Sequence, residues 1–192
     1  YLVEKGADFR AVDNHATQIA SQYGHLQVVK YLVEKGADVR AFNNEAVQMA
    51  SEYGHLEVVK YLVKMGADFR ARDNYAVRYA SAKGHFEVVK YLVEKGAEAG
   101  DNWAVRYASQ KDHLEVVKYL LSIGKSCTDD AMDLASARGY LEVVKYLHSI
   151  GKKCSNNAMN WASRGGYLEI VKYLHSIGKK CTNRAMNDAS ER

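Results

Sequence analysis

A chain of 192 residues, 47% hydrophobic and 26% charged, has the composition of an ordinary globular protein with enough apolar material for a packed core. Its 27 Lys and Arg against 23 Asp and Glu leave a net charge of +4, spread evenly along the chain, which excludes a polybasic tail. No apolar run approaches the ~18 residues of a membrane span, and the odd count of three cysteines reads as reduced thiols, so an intracellular, cytoplasmic setting is expected.

In chain order, residues 1–12 read as a partial repeat in which Tyr1 to Lys5 correspond to the second half of a second helix, so the beginning of that unit is expected to be missing. A complete unit follows at 13–42. Its first helix starts at Asp13, a residue whose side chain can accept from amides of the first turn, and stops at Gly24, where a left-handed residue suits glycine. Its second helix carries Leu26, Val29 and Val33 on one stripe and ends at Gly36. The same pattern recurs at 43–72, 73–100, 101–127, 128–154 and 155–181, with a partial copy at 182–192. The segment Val28–Leu32 returns with steps of 30, 30, 28, 27 and 27 residues, and an Ala-Ser pair keeps phase from Ala20 to Ala189. A period in this range implies a stacked array. Each unit's first helix again opens on a capping residue, Asn43, Asp73, Asp101, Thr128, Ser155 and Thr182. The second helices end at Gly66, Gly96, Gly124, Gly151 and Gly178, and Asp112 once takes the place of the turn glycine. The small Ala-Ser pair lets neighbouring first helices approach near the lower end of the ~8–10 Å range. One hairpin cannot bury its own apolar face, so stability is a sum of nearest-neighbour interfaces. The chain is therefore expected to be a single array, an excerpt of a longer one, truncated at both ends.

The run Ala80–Leu92 followed by Gly96-Ala97 resembles the ankyrin repeat in spacing and residue type, and the likeness covers essentially the whole chain. The resemblance implies an all-α solenoid of helix-turn-helix repeats with a concave face, built from the first helices and the turn fingers, that usually binds proteins. Two departures matter. Tyr75-Ala76-Val77-Arg78 stands where the family has Thr-Pro-Leu-His, and the period falls short of the family's ~33 residues. Gly84 to Gly96 and Gly139 to Gly151 are both twelve apart, so the helices keep their length and the loss falls in the β-turn fingers, which should be short or absent. The abbreviated pattern is similar to the expanded families of giant DNA viruses and their protist hosts, which implies a viral protein of the host cytoplasm or virion.

His25, His55, His85 and His113 repeat one per unit, too far apart for ligands that must converge on ~2 Å bonds, so a metal is not expected. The same spacing argues against disulfides among Cys127, Cys154 and Cys181, which sit before the helix starts as packing residues. Lys30, Lys60, Lys90, Lys118, Lys145 and Lys172 form a ladder, but a glutamate three residues earlier faces most of them, so nucleic-acid binding is disfavoured. The tyrosines from Tyr1 through Tyr31 to Tyr173 share one phase and read as a half-buried ladder. No nucleophile with its base, phosphate-cradling loop or zinc-protease helix is present, so an enzyme, a cofactor and a small-molecule substrate are not expected.

The remaining signal is variation between copies. Aligned on Ala16, Ala46, Ala76, Ala104, Ala131, Ala158 and Ala185, the variable positions fall at −1, +3 and +7, one side of the first helix. The candidate partner-binding residues there are Tyr23, Tyr53, Tyr75, Tyr79, Lys83, Trp103, Tyr107, Lys111, Arg138 and Trp161, extended by Phe42 and Arg72 just before the helix starts. At +3, repeat stacking and binding carry equal weight, so Tyr79, Tyr107 and Trp161 keep both readings. The function expected is a non-catalytic protein-binding scaffold; the alternative is a structural or particle-associated spacer with no dedicated partner site.

Overall fold

The computed structural model describes residues 15–99 and 102–180, so the partial repeats expected at 1–12 and 182–192, with Cys181, lie outside the described residues. Among those described the chain forms helices joined by turns, with no strand. It divides into two compact units, Tyr1–Gly100 and Asp101–Arg192. The first unit holds α1 (His15–Gln22), α2 (Leu26–Glu34), α3 (Ala41–Glu52), α4 (Leu56–Lys64), α5 (Ala71–Lys83) and α6 (Phe86–Glu94). The second holds α7 (Trp103–Gln110), α8 (Leu114–Ser122), α9 (Asp130–Arg138), α10 (Leu141–Ser149), α11 (Asn156–Arg164) and α12 (Leu168–Ser176). No described helix is long and apolar enough to cross a membrane.

Each odd-numbered helix turns back into an even-numbered partner, and within a unit like helices stack on like. The turn after α3 is typical: Gly54 N donates to Ser51 O and His55 N to Ala50 O, which satisfies carbonyls the helix end leaves open. Gly54 has a φ of 80°, and a Cβ there would lie 2.5 Å from the ring of His85 in the next hairpin. Glycine is required twice over, by the left-handed backbone and by the neighbour's ring. Asp112, which stands in for the turn glycine, adopts a φ of 65°.

The core follows the repeat. Ala50, Ala80, Leu62, Leu92, Leu120 and Leu147 have no exposed surface. Ser51, Ser81, Ser109 and Ser136 of the Ala-Ser pairs are equally buried, and their hydroxyls each donate to the carbonyl four residues back, at 2.7–2.8 Å. A small polar side chain is thus satisfied inside its own helix and leaves the stacking face closed to water.

The helix starts depart from the sequence expectation. Phe42, Asn43 and Asn44 have φ of 52°, 55° and 67°, and Arg72, Asp73 and Asn74 have 52°, 54° and 57°. Asn43 and Asp73 therefore do not cap their helices; they lie in a left-handed turn that Asn and Asp tolerate better than other residues. Ser155 does cap, its hydroxyl accepting from Asn157 N at 3.0 Å. Thr128 Oγ1 is buried without a partner, and Asp13, Asp101 and Thr182 lie outside the described residues.

Side chains do the joining where long fingers would. In the first unit Asn44 and Asn74 accept from the backbone amides of Asp68 and Glu98, at 2.7 and 3.1 Å. Arg40 and Arg70 donate to the carbonyls of Gly66 and Gly96, at 2.8 and 3.0 Å. The shorter loops of the second unit use other residues: Asp133 accepts from the amide and hydroxyl of Ser155 at 2.9 and 2.6 Å, and Lys152 donates to Cys127 O at 3.4 Å.

Candidate functional site

The second helices are occupied with the stack. His55 and His85 donate from Nε2 to the carbonyls of Gln22 and Glu52 in the preceding hairpin, at 2.8 and 2.9 Å, which is the packing role expected of them. Lys60, Lys145 and Lys172 pair with Glu57, Glu142 and Glu169 at 2.7–2.8 Å. Lys30 and Lys118 lie 5.9 and 5.5 Å from the rings of Tyr61 and Tyr146 in the next repeat, which fixes the half-buried tyrosine ladder. Burial pushes the hydroxyls of Tyr61 and Tyr91 above the usual tyrosine range. Cys127 and Cys154 are free thiols, also pushed up by burial, and so are poor nucleophiles. Among the described residues no group of three His, Cys, Asp or Glu is placed to hold a metal ion.

The first helices present the variable side chains. In the first unit Tyr23, Phe42 and Tyr53 are 64%, 43% and 47% exposed, and Arg72 and Lys83 are exposed too. Tyr75 and Tyr79 are half-buried and stacked at 3.8 Å between ring centroids. The Tyr75 hydroxyl donates to Glu52 Oε2 at 3.0 Å, and Lys83 Nζ lies 3.8 Å from Glu52 Oε1. Burial, reinforced by that hydrogen bond to a carboxylate, holds Tyr75 far above the usual tyrosine range. Arg78 pairs with Asp73 at 2.8 Å. Tyr75, Lys83 and Glu52 thus engage one another at the centre of this face.

The second unit is different. Trp103 and Tyr107 are half-buried and stacked at 4.0 Å, with the Arg106 guanidinium 6.0 Å from the Tyr107 ring. Lys111 and Arg138 are exposed, and Trp161 is 41% exposed. Arg138 and Trp161 share an open groove of ≈590 Å³ with Leu134, Ala137, Gln110 and Arg164. Gly165, at the end of the same groove, is small for a packing reason, since a Cβ would lie 2.4 Å from the Tyr167 ring.

Glu52, Gln110 and Arg164 are participants that the −1, +3 and +7 pattern passes over. They occupy +6, where the copies read Gln22, Glu52, Ala82, Gln110, Ala137, Arg164 and Glu191. That series varies as much as its neighbour at +7, so one further column of the same alignment identifies them.

Comparison with known proteins agrees with this geometry. The family model described as Ankyrin repeats (3 copies) matches residues 1–73, 72–131 and 107–185. The human ASB11 ankyrin repeat domain has a similar fold, with a TM-score of 0.75 over 85% of this chain and 84% of that one at 21% identity. No curated protein sequence matches. With matched repeats reaching from residue 1 to 185 and helical hairpins throughout the described residues, the chain belongs to the ankyrin-repeat family.

Proposed function

We propose that the chain is a non-catalytic protein–protein interaction scaffold that engages a partner protein along the faces of its first helices. Ankyrin repeats generally serve as protein-interaction modules, and the repeat phase runs through the chain as in one array. One observation carries the reading: of the large hydrophobic side chains left exposed at the variable positions, Ile19, Tyr23, Phe42, Tyr53 and Trp161, all but Ile19 are aromatic, and exposed Arg and Lys occupy the same set of positions. Such types are enriched among residues that dominate binding energies. The second-helix lysines, neutralised by their own glutamates, support a solvated face there rather than a phosphate-binding one.

The test is single replacement of Tyr53, Lys111, Arg138 and Trp161 by Ala in the full-length gene product, with cross-linking capture in its own cells and thermal melting read together. Loss of capture in at least one variant at unchanged melting is the expected result. Unchanged capture in all, or loss only where the fold is lost, would overturn the proposal and leave the structural spacer.

A further inference from the structure

Corresponding positions of the first helices carry different charges in α3 and in α9 and α11. In the first unit, Glu52 supplies a carboxylate to Tyr75 and Lys83 of the next hairpin. In the second, Gln110, Ala137 and Arg164 hold the +6 positions of α7, α9 and α11, so none of these three helices carries a carboxylate there, while the basic residues at +7 continue as Lys111 and Arg138. Arg138 and Arg164 make no hydrogen bond or ion pair with any described residue, and both end helices that point at one groove. The floor between them is apolar: Leu134, Ala137 and the exposed face of Trp161.

We infer that this groove, across α9 and α11, receives an extended peptide segment that carries acidic side chains next to an apolar one. The inference rests on the interaction reading above and names where and what the second unit binds. Charge complementarity selects the occupant. Arginine presents a planar fork of donors that takes a carboxylate in a bidentate fashion, and two such groups flanking an indole suit an acidic residue on either side of an aliphatic or aromatic one.

Helix geometry alone accounts for part of the arrangement, because a cation in the last turn of a helix gains about 0.3–1 kcal/mol from the aligned backbone dipoles. It does not account for an arginine at +6 of α11 where α3 carries Glu52, or for Trp161 left 41% exposed beside two arginines that have no ion pair among the described residues. The apolar floor of Leu134, Ala137 and the Trp161 indole would be buried by an aliphatic or aromatic peptide side chain, whereas a phosphate backbone would use only the two cations. A peptide is therefore favoured over a nucleic acid.

The experiment is panning of the full chain against a display library of random dodecapeptides, then fluorescence anisotropy of the leading synthetic peptide. Enrichment of Asp or Glu beside Leu, Ile, Phe or Trp is expected. Binding of that peptide should fall by about tenfold or more in Arg138→Glu and in Arg164→Glu, each a loss of one charge-assisted pair and a gain of repulsion. Trp161→Ala should weaken it too, Arg138→Lys should retain part of it, and Lys145→Ala, on the solvated second-helix face, should leave it unchanged, all at melting temperatures close to the parent's. Neutral or basic enriched peptides, no enrichment, or acidic peptides indifferent to Arg138 and Arg164 would overturn the inference. So would single-stranded oligothymidine that competes the peptide away and is itself released by moderate salt. Acidic peptides lost in Tyr53→Ala instead would overturn it while leaving the interaction reading intact, whereas the capture experiment above decides that reading independently.

Discussion

At the level of single residues, the short repeats concentrate their constraints in a few side chains that reach the next hairpin. Asn44 is the clearest case, because it combines a φ of 67° with an acceptor for Asp68 N at 2.7 Å. Asn44→Ala removes the acceptor and places a residue less tolerant of the left-handed region, for an expected loss of about 2 kcal/mol in urea denaturation. Asn44→Gly should lose less, since only the hydrogen bond goes. Gly54→Ala is the converse test: a methyl group 2.5 Å from the His85 ring, on a backbone at φ 80°, must displace a ring that is bonded to Glu52 O. The expected cost is about 2–3 kcal/mol, and a loss below ~0.5 kcal/mol would mean that the ring moves freely.

At the level of elements, α9 is tied to the start of α11 through Asp133 and Ser155, both carboxylate oxygens accepting from one serine. Burial nevertheless outweighs those bonds and holds the Asp133 carboxyl above its ordinary range. Its protonated form therefore favours the fold. That contribution is fully present below the unfolded value of about 3.9 and is lost as pH rises through the higher folded value. Asp133→Asn keeps hydrogen-bonding capacity toward Ser155 without the charge. Its stability relative to the parent should accordingly increase as pH is raised from about 4 toward neutrality, followed by urea denaturation across the series. A pH-independent difference would contradict this. Exposed pairs behave otherwise: Lys145→Ala, which breaks the 2.8 Å contact with Glu142, is expected to change stability by less than about 0.5 kcal/mol.

At the level of the whole molecule, stability in stacked repeats is a sum over adjacent hairpins. Leu62 has no exposed surface and lies in α4, between the second helices α2 and α6. Leu62→Ala should cost about 2–5 kcal/mol, and amide exchange should accelerate in α2, α3, α5 and α6 as well as in α4. An acceleration confined to α4 would contradict the stacking account. The interaction proposals belong to this scale as well, because whether a cation is open to a partner depends on the adjacent hairpin: Lys83 lies 3.8 Å from a carboxylate one hairpin away, and Arg138 meets none among the described residues.

The amino-acid sequence by itself determined the hairpin period, the turn positions from Gly24 to Gly178, the buried Ala-Ser pairs and the near-neutral second-helix face. These are local, periodic signals, and repetition averages out the ambiguity of any one copy. Even Asp112 in a glycine's place was legible, since Asp is among the residues that tolerate a left-handed turn. Tertiary structure alone decided two matters. Asn43 and Asp73 look like helix caps in sequence, but the next hairpin draws Asn44 and Asn74 toward the amides of Asp68 and Glu98, within left-handed turns. Likewise, −1, +3 and +7 mark the exposed side of each helix, but which of its charges is free depends on a partner about one helix diameter away in the adjacent hairpin. Glu52 reaches Tyr75 and Lys83 across that gap, while Gln110, Ala137 and Arg164 hold the same register in α7, α9 and α11, so Arg138 and Arg164 meet no carboxylate among the described residues.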